Sequence, residues 1–368
     1  MSDLQRRSFM DEFDQKQPSW RIALTANLKS DLIWHADAPP DAGAEFDARE
    51  TIEAITAALQ ADGHLVTFCP ADRTLPDALQ DNRPDICFNI AEGLGGDARE
   101  AQVPALCELL GIPYTASRVL ANALSLDKTQ TKRIWQNLGL PTARFQEFQA
   151  SSDVMWPPLR YPLFVKPARE GTGMGMGLDS VVLDEASLRE QVAWVIETYQ
   201  QPALVEELLP GREFTVGFIG NRGTKRPFPY NPDGYYFFPV LELGTQNSVS
   251  PGVYGYDAKS LPLDEIGAPD YLCPADVPAN LRHRLYTLTR QAAEAIGVCD
   301  VCRVDFRLDA EGEPYLLEIN TLPGLNPSVS DLCIMARADD IPYQTLITEI
   351  LYLAAERFGL LLPELAVA

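Results

Sequence analysis

The stretch RIALTANL (Arg21–Leu28) is a run of mostly apolar residues after a polar segment, and it reads as a strand. In AEFDARETIEAITAALQADGH (Ala44–His64) the apolar residues recur at helical spacing up to a Gly-His stop, and LVTFCP after it is a second strand. PDICFNI (Pro84–Ile90) is another short apolar strand, and EAQVPALCELLGIPYTAS (Glu100–Ser117) a helix that Gly111 ends. This β-α-β-β-α order predicts a small α/β domain over 21–125, behind a polar arm over 1–20 that is expected to be flexible.

From about Leu126 the pattern changes. LDKTQTKRIWQNLGLP is an amphipathic, basic helix with a glycine stop, and YPLFVKPAREGTGMGMGLDSVVL is strand, glycine loop, strand. Helix DEASLREQVAWVIETY and strand PALVEELL complete an α+β domain over 126–215. FTVGFIGN opens a third domain, 216–368, mostly sheet, with helices around Leu281–Ile296 and Tyr343–Phe358.

Composition narrows the function. The 368 residues carry a formal net charge of −22, so nucleic acid and anionic membrane surfaces would repel the chain. No apolar run approaches the ~20 residues that cross a bilayer, and the N-terminus lacks the apolar core of a signal peptide. A cytoplasmic location follows as the expectation. The seven cysteines suit reduced thiols, and the one C-x-x-C, Cys299 and Cys302, lacks the second ligand pair of a structural zinc site. The three histidines, His35, His64 and His283, lie far apart.

The hairpin CRVDFRLDAEGEPYLLEINTLPG, Cys302–Gly324, carries the first candidate chemistry. Alternation puts Arg303 and Asp305 on one face of its first strand, and Glu318 and Asn320 on one face of its second. With Leu308 opposite Tyr315, Phe306 meets Leu317, Val304 meets Ile319, Asp305 meets Glu318 and Arg303 meets Asn320. Two carboxylates and an amide oxygen then converge, which favours Mg²⁺ or Mn²⁺. A solvated acidic face with Arg303 as a simple ion-pair partner would use the same residues. A metal with so few protein ligands shares its remaining positions with water and a nucleotide phosphate, so a phosphate-binding element is expected elsewhere.

KPAREGTGMGMG (Lys166–Gly177) is the candidate for that element. It matches neither a Walker loop nor a dinucleotide fingerprint. Its single glycines between strands describe a flap whose N–H groups can fold over phosphates, or else a plain mobile hairpin. Lys166 before the flap and Lys128 at the basic helix can neutralise phosphate charge, and Lys259 lies in a loop suited to a lid. In PALVEELLPGREFTV, the Glu206–Leu209 backbone can face adenine and Glu213 can accept from ribose hydroxyls.

In this order the pieces resemble the ATP-grasp superfamily, most closely the D-alanine–D-alanine ligases. The motifs that carry the resemblance are DICFNIAEGLGGDAREAQVPALCELLGIPYTAS, the D-K-x-x-x-K helix, VKPAREGTGMGMG, LVEELLPGREFTV, CRVDFRL and LLEINTLPG. It covers about Asp85 to Leu360 and implies a three-domain ATP-grasp fold with an N-terminal α/β substrate domain, the glycine flap on the central domain and the metal site on the third. It further implies ATP with Mg²⁺ or Mn²⁺, small amino-acid-like substrates and a homodimer built through the N-terminal domain. By that resemblance Lys128 and Lys166 hold phosphate, and Thr172, with Gly173 beside it, stands where the family has a flap serine. Glu206, Glu207, Leu208 and Leu209 line adenine, Glu213 the ribose, and Lys259 reaches the γ-phosphate. Asp305, Glu318 and Asn320 are implied as metal ligands, with Arg303 and the Gly324 backbone holding the reacting carboxylate and its oxyanion.

The departures lie where substrates bind. The family's N-terminal G-G-x-S-x-E is absent, so the amine-binding glutamate is Glu50 or Glu45. Glu92 replaces a family histidine, Ser260 the tyrosine after the lid lysine, and Ser328 and Ser330 stand out of step with the serine that grips the acceptor carboxylate. The expected function is an ATP-dependent carboxylate–amine ligase acting through an acyl phosphate, with D-alanine as first substrate. Alternatives are a secondary-metabolism ligase with another carboxylate or amine, a non-catalytic nucleotide-binding regulator, and a simple metal-dependent hydrolase.

Overall fold

The computed structural model describes residues 18–31, 38–156, 158–259, 261 and 265–361. Its first sheet is parallel: β1 (Arg21–Ala26) lies between β2 (Leu65–Pro70) and β3 (Ile86–Asn89). Parallel neighbours need crossovers, which α1 (Arg49–Ala61) and α2 (Leu75–Asn82) provide. The helix expected over Ala44–His64 starts only at Arg49; Phe46 and Asp47 instead fold back on Gly43 and Asn27 by backbone hydrogen bonds of 3.1 and 2.8 Å. Glu45 therefore sits on a loop. Next come α3 (Gln102–Leu110), ended by Gly111 at φ +68°, then α4 (Val119–Leu126) and α5 (Lys128–Asn137). The Asp127 carboxylate separates the last two, capping α5 by accepting from Gln130 N–H at 2.9 Å.

The second sheet is antiparallel, in the order β4 (Phe145–Phe148), β7 (Ala203–Glu207), β5 (Leu163–Pro167), β6 (Val181–Val182). α6 (Glu185–Tyr199) lays Leu188, Val192 and Val195 on its inner face. The third sheet runs β11 (Asp270–Leu272), β10 (Leu241–Gly244), β8 (Glu213–Gly220), β12 (Val301–Leu308), β13 (Pro314–Asn320), with β9 (Tyr235–Phe237) paired to β8. α7 (Tyr256–Lys259), α8 (Ala279–Ile296), α9 (Asp331–Ala338) and α10 (Tyr343–Arg357) complete the described elements. α2, α4, α7, α9 and β4 are additional to the elements the pattern predicts.

Packing departs from the expected divisions in three places. Trp135 of α5 is fully buried in the core of the third sheet and donates Nε1–H to Ala292 O at 3.3 Å, so this helix packs with α8 although its sequence precedes the second sheet. The chain returns between the two sheets by a Thr142–Leu316 bridge. Trp20, counted with the flexible arm, stacks on His64 at 5.2 Å and meets Tyr352 of α10 edge-on, so the last helix covers the first sheet. Emptying a site such as that of Trp135 costs about 3–5 kcal/mol, which ties α5 firmly to the third sheet. Lys128, at the first position of that helix, is fixed in consequence.

Candidate active site

The polar hairpin pairs as expected over its functional half: Arg303 lies opposite Asn320, Val304 opposite Ile319 and Asp305 opposite Glu318. Beyond that the expectation fails. A bulge between Asp305 and Phe306 shifts the register, so Phe306 pairs with Leu316 and Leu308 with Pro314, instead of with Leu317 and Tyr315. The physical reason is visible in burial. Leu316 takes the inner position at 0% exposed, while Leu317 and Glu318 both face outward. Leu317 then lines a partly open cavity with Phe164, Lys166, Met176, Glu213 and the Glu206–Leu209 segment.

The charges are tightly arranged. Asp305 is 5% exposed, and burial pushes its carboxyl up to about 6 against the pull of Arg303. Its Oδ1 lies 3.2 Å from Arg303 Nη1 but has no hydrogen bond of good geometry among the described residues; its Oδ2 accepts from Asn320 Nδ2 at 3.3 Å. Glu318 would be raised by burial, but Lys128, Lys259 and Lys166 hold it well below the usual carboxylate range. Lys128 Nζ is 3.4 Å from Glu318 Oε2 and donates to Glu170 O. Arg303 is raised by Asp305 and Asp331 despite burial, and its Nη1 contacts Asp331 Oδ2 at 2.5 Å.

Lys166 places Nζ 2.7 Å from Glu206 Oε1, and Lys132 places its own 2.9 Å from Oε2 of the same carboxylate. Burial would raise Glu206, yet the two ammonium groups hold it at about 2. Glu206 and Glu207 therefore do not offer free carboxylates to a base. Glu207 is held by Arg144 at 3.1 Å and Arg160 at 2.9 Å, and the segment lines the cavity together with Leu208 and Leu209. Glu213 is raised by burial and lies 3.5 Å from Arg307, whose Nη2 donates to Gly252 O at 2.9 Å.

Flap, lid and first domain meet. Gly173 O accepts from Tyr256 N–H of α7 at 3.0 Å, and a Cβ on Gly173, at φ +73°, would stand 2.7 Å from Gly255 C. Thr172 beside it holds φ +50°, a left-handed conformation that costs a β-branched residue energy. Glu45 accepts from Gly171 N–H at 2.5 Å and from Arg99 at 2.6 Å, and Arg99 also holds Glu170 at 2.9 Å. Asp41 accepts from Gly175 N–H at 2.8 Å. Glu92 is raised by burial and by Glu100, Glu45 and Asp47; burial likewise pushes Glu100 up to about 8.

Of the expected residues, Lys128, Lys166, Lys259, Arg303, Asp305, Glu318 and Asn320 converge. Glu50 is exposed on the first turn of α1, whereas Glu45 reaches the flap. Ser328 is exposed. Ser330 Oγ accepts from Asn326 N–H at 2.9 Å and lies under Gly324, where a Cβ would stand 2.8 Å from it. Ser330 thus shapes the Pro-Gly turn and Ser328 stays outside the site. Ser260 and His35 fall outside the described residues. Lys132, Arg307, Asp331 and Arg99 went unrecognised. The first two had a signal: K-x-x-x-K puts Lys132 one turn from Lys128, and alternation puts Arg307 on the face of Arg303 and Asp305.

Two antiparallel sheets that close on a cavity lined by Lys166, Met176 of the glycine flap, the Glu206–Leu209 segment and Leu317 of the carboxylate hairpin define an ATP-grasp protein. Comparison with known proteins places it within that class. The family description "D-ala D-ala ligase C-terminus" matches residues 134–352. The D-alanine–D-alanine ligase of Stutzerimonas stutzeri is 36% identical over 81% of this chain and 86% of its own length. An uncharacterised protein of Sinorhizobium fredii, y4sG, is 32% identical over 83% of this chain and 88% of its own. In fold, the chain is similar to the D-alanine–D-alanine ligase of Bacillus anthracis complexed with ATP: TM-score 0.69, 19% identity, covering 93% of this chain and 99% of that one. The chain belongs to the D-alanine–D-alanine ligase family and is an ATP-dependent ligase that forms a C–N bond. The non-catalytic alternative is not favoured. No helix among the described residues is long and apolar enough to cross a membrane.

Proposed function

We propose that this chain joins two amino-acid-like substrates through an acyl phosphate, with D-alanine as the first substrate to try, in the cytoplasm and as a homodimer. The observation that carries the reading is the convergence of Arg303, Asp305, Glu318 and Asn320 on one hairpin face toward Lys128, Lys166 and Lys259. Divalent metal fits this set: the two carboxylates and the amide are hard oxygen donors, and the buried Asp305 Oδ1 has no well-aligned hydrogen bond. Among the described residues no three His, Cys, Asp or Glu gather; Asp305 and Glu318 would hold the metal together with the amide oxygen of Asn320. When bound, Mg²⁺ or Mn²⁺ would offset charge on the phosphates.

The protein's own groups do the rest. Lys166 and Lys128, with Lys259 from the lid, stabilise the triphosphate and the charge that moves as a substrate carboxylate attacks the γ-phosphorus and ADP leaves. Thr172 and Gly173 carry the flap over the phosphates, the Glu206–Leu209 backbone borders adenine, and Glu213 accepts from the ribose. Arg303 and the Gly324 N–H hold the oxyanion formed when the amine attacks the acyl carbon, until the C–O bond to phosphorus-bound oxygen breaks, inorganic phosphate leaves and the amine nitrogen gives up its proton. Glu45, positioned against the flap, is the better candidate than Glu50 for the substrate amine. The closed flap and lid exclude water from the acyl phosphate.

The test is ADP release with Mg²⁺–ATP and single or paired amino acids, with products identified by mass. D-alanine-dependent release with its dipeptide supports the reading. Release with another pair alone would move the assignment to a specialised ligase, and ATP bound but unconsumed across the panel would overturn it.

A further inference from the structure

Lys128 is held by Glu318 and Lys166 by Glu206. For Lys259 the close partner is an aromatic ring. Its Nζ lies 4.3 Å from the centroid of Tyr254, well inside the ~6 Å range of a cation–π contact. Tyr254 is 6% exposed, lines the nucleotide cavity and lies one glycine ahead of α7, the turn that carries Lys259. Its hydroxyl shares a 2.7 Å hydrogen bond with that of Tyr271 on β11, and the two rings meet edge-on. Burial raises both phenols, Tyr271 to about 12, so both stay neutral. A strut thus runs from the edge of the third sheet through Tyr271 and Tyr254 to the lid ammonium. The field of that ammonium reaches Glu318 and Asp305.

We propose that Tyr254 is a positioning residue for Lys259: its ring face holds the ammonium over the cavity, so that the lid closes with the lysine already aimed at the terminal phosphate. This rests on the reading of Lys259 as the γ-phosphate lysine. A carboxylate partner would have to be broken when the triphosphate arrives. A ring face attracts the cation without neutralising it, and leaves its N–H donors free for oxygen. A ring that merely packs would serve equally well whatever its electron density.

The test separates these roles without needing the ligase substrates. Tyr254 is replaced in the full chain by phenylalanine and then by phenylalanines with one, two and three ring fluorines, which drain the quadrupole at nearly constant shape. Affinities for Mg²⁺–ATP and Mg²⁺–ADP are measured by calorimetry. The expected result is a Tyr254→Phe ratio within about twofold of wild type, then a progressive fall in preference for ATP over ADP of about three- to tenfold. ADP affinity should stay constant. In a Lys259→Met background the ratio should be low and insensitive to fluorine. Dependence on Lys259 without dependence on fluorine would overturn the role of Tyr254 and keep that of Lys259. A ratio unmoved by Lys259→Met would overturn both, and equal loss of ATP and ADP affinity would show a packing role and overturn the proposal.

Discussion

Replacing Glu206 by glutamine should destabilise the protein by about 3 kcal/mol at neutral pH. Glu206 is 3% exposed and bridges Lys132, itself 0% exposed, and Lys166. Burial alone would raise its carboxyl, but the two lysines hold it at about 2, roughly 2.5 units below the ordinary value of 4.5. At about 1.36 kcal/mol per unit that is roughly 3 kcal/mol, near the ~3–5 kcal/mol seen when one partner of a buried pair is removed. The sign follows from the depressed value. The contribution is complete above the unfolded carboxyl's pKa, near 4.5, and is lost as pH falls toward about 2, with roughly 2 kcal/mol left at pH 3.5. In the variant, Lys132 keeps its hydrogen bond to Thr142 Oγ1 at 2.7 Å but loses its counter-charge, and burial already favours its neutral form.

The assay is equilibrium unfolding in urea, which unlike guanidinium leaves ion pairs unscreened. With a slope of about 3 kcal/mol/M for a chain of this size, the midpoint should drop by about 1 M at pH 7.5 and by less at pH 3.5. A drop under about 0.3 M at pH 7.5, or a difference that grows on acidification, would refute the reasoning. The first would mean that the lysines are too well solvated to need Glu206. The second would mean that the carboxyl is raised rather than lowered.

Asp305→Asn, Glu318→Gln and Arg303→Ala should each cut steady-state ADP release at least about a hundredfold in a chain that still folds, as its circular dichroism shows; near-normal turnover in any one removes it from the site. Glu45→Gln should raise the KM of the carboxylate substrate about tenfold with ATP affinity little changed, whereas Glu50→Gln should alter neither; the reverse pattern would give the amine to Glu50. Gly173→Ala should keep the fold but lower kcat/KM for ATP at least about tenfold, because its Cβ would enter the Gly255 backbone and part the flap from the lid; unchanged kinetics would show that the seam opens during turnover.

Much of this site was legible before the fold was known, for reasons that differ by residue. Arg303, Asp305, Glu318 and Asn320 could be read because strand periodicity is two, and a single register satisfied both faces. The bulge could not, since one extra residue in β13 shows only once Leu316 is seen to fill the inner position that Leu317 was expected to take. Lys132 was overlooked because a lysine on a basic helix is ordinarily solvated; the anchoring of α5 by Trp135 is what drives it inside. Asp331 lies 28 residues from Arg303, and no local pattern links them. Glu45 and Glu50 stayed indistinguishable while both were assigned to a helix. The loop that ends at Asp47 parts them, sending Glu45 to Gly171 and leaving Glu50 in solvent.

The charge arrangement also explains how a chain of net charge −22 can receive a triphosphate. Two of the lysines proposed to hold phosphate are paired in advance with carboxylates: Lys128 with Glu318, and Lys166 with Glu206. Burial would otherwise push the Lys166 ammonium toward its neutral form. Lys166 shows the compensation directly, since Glu206 and Glu318 keep it raised where burial would lower it. The pairs are not equivalent. Glu206 is locked between two lysines, so it stays in place and serves to keep Lys166 charged. Glu318 lies 3.4 Å from Lys128 alone, and on the proposed reading it would help to hold a divalent cation, leaving Lys128 for phosphate oxygen. On that reading one carboxylate is permanent scaffold and the other exchangeable. Neutralising Glu206 should cost mainly stability, and neutralising Glu318 mainly turnover.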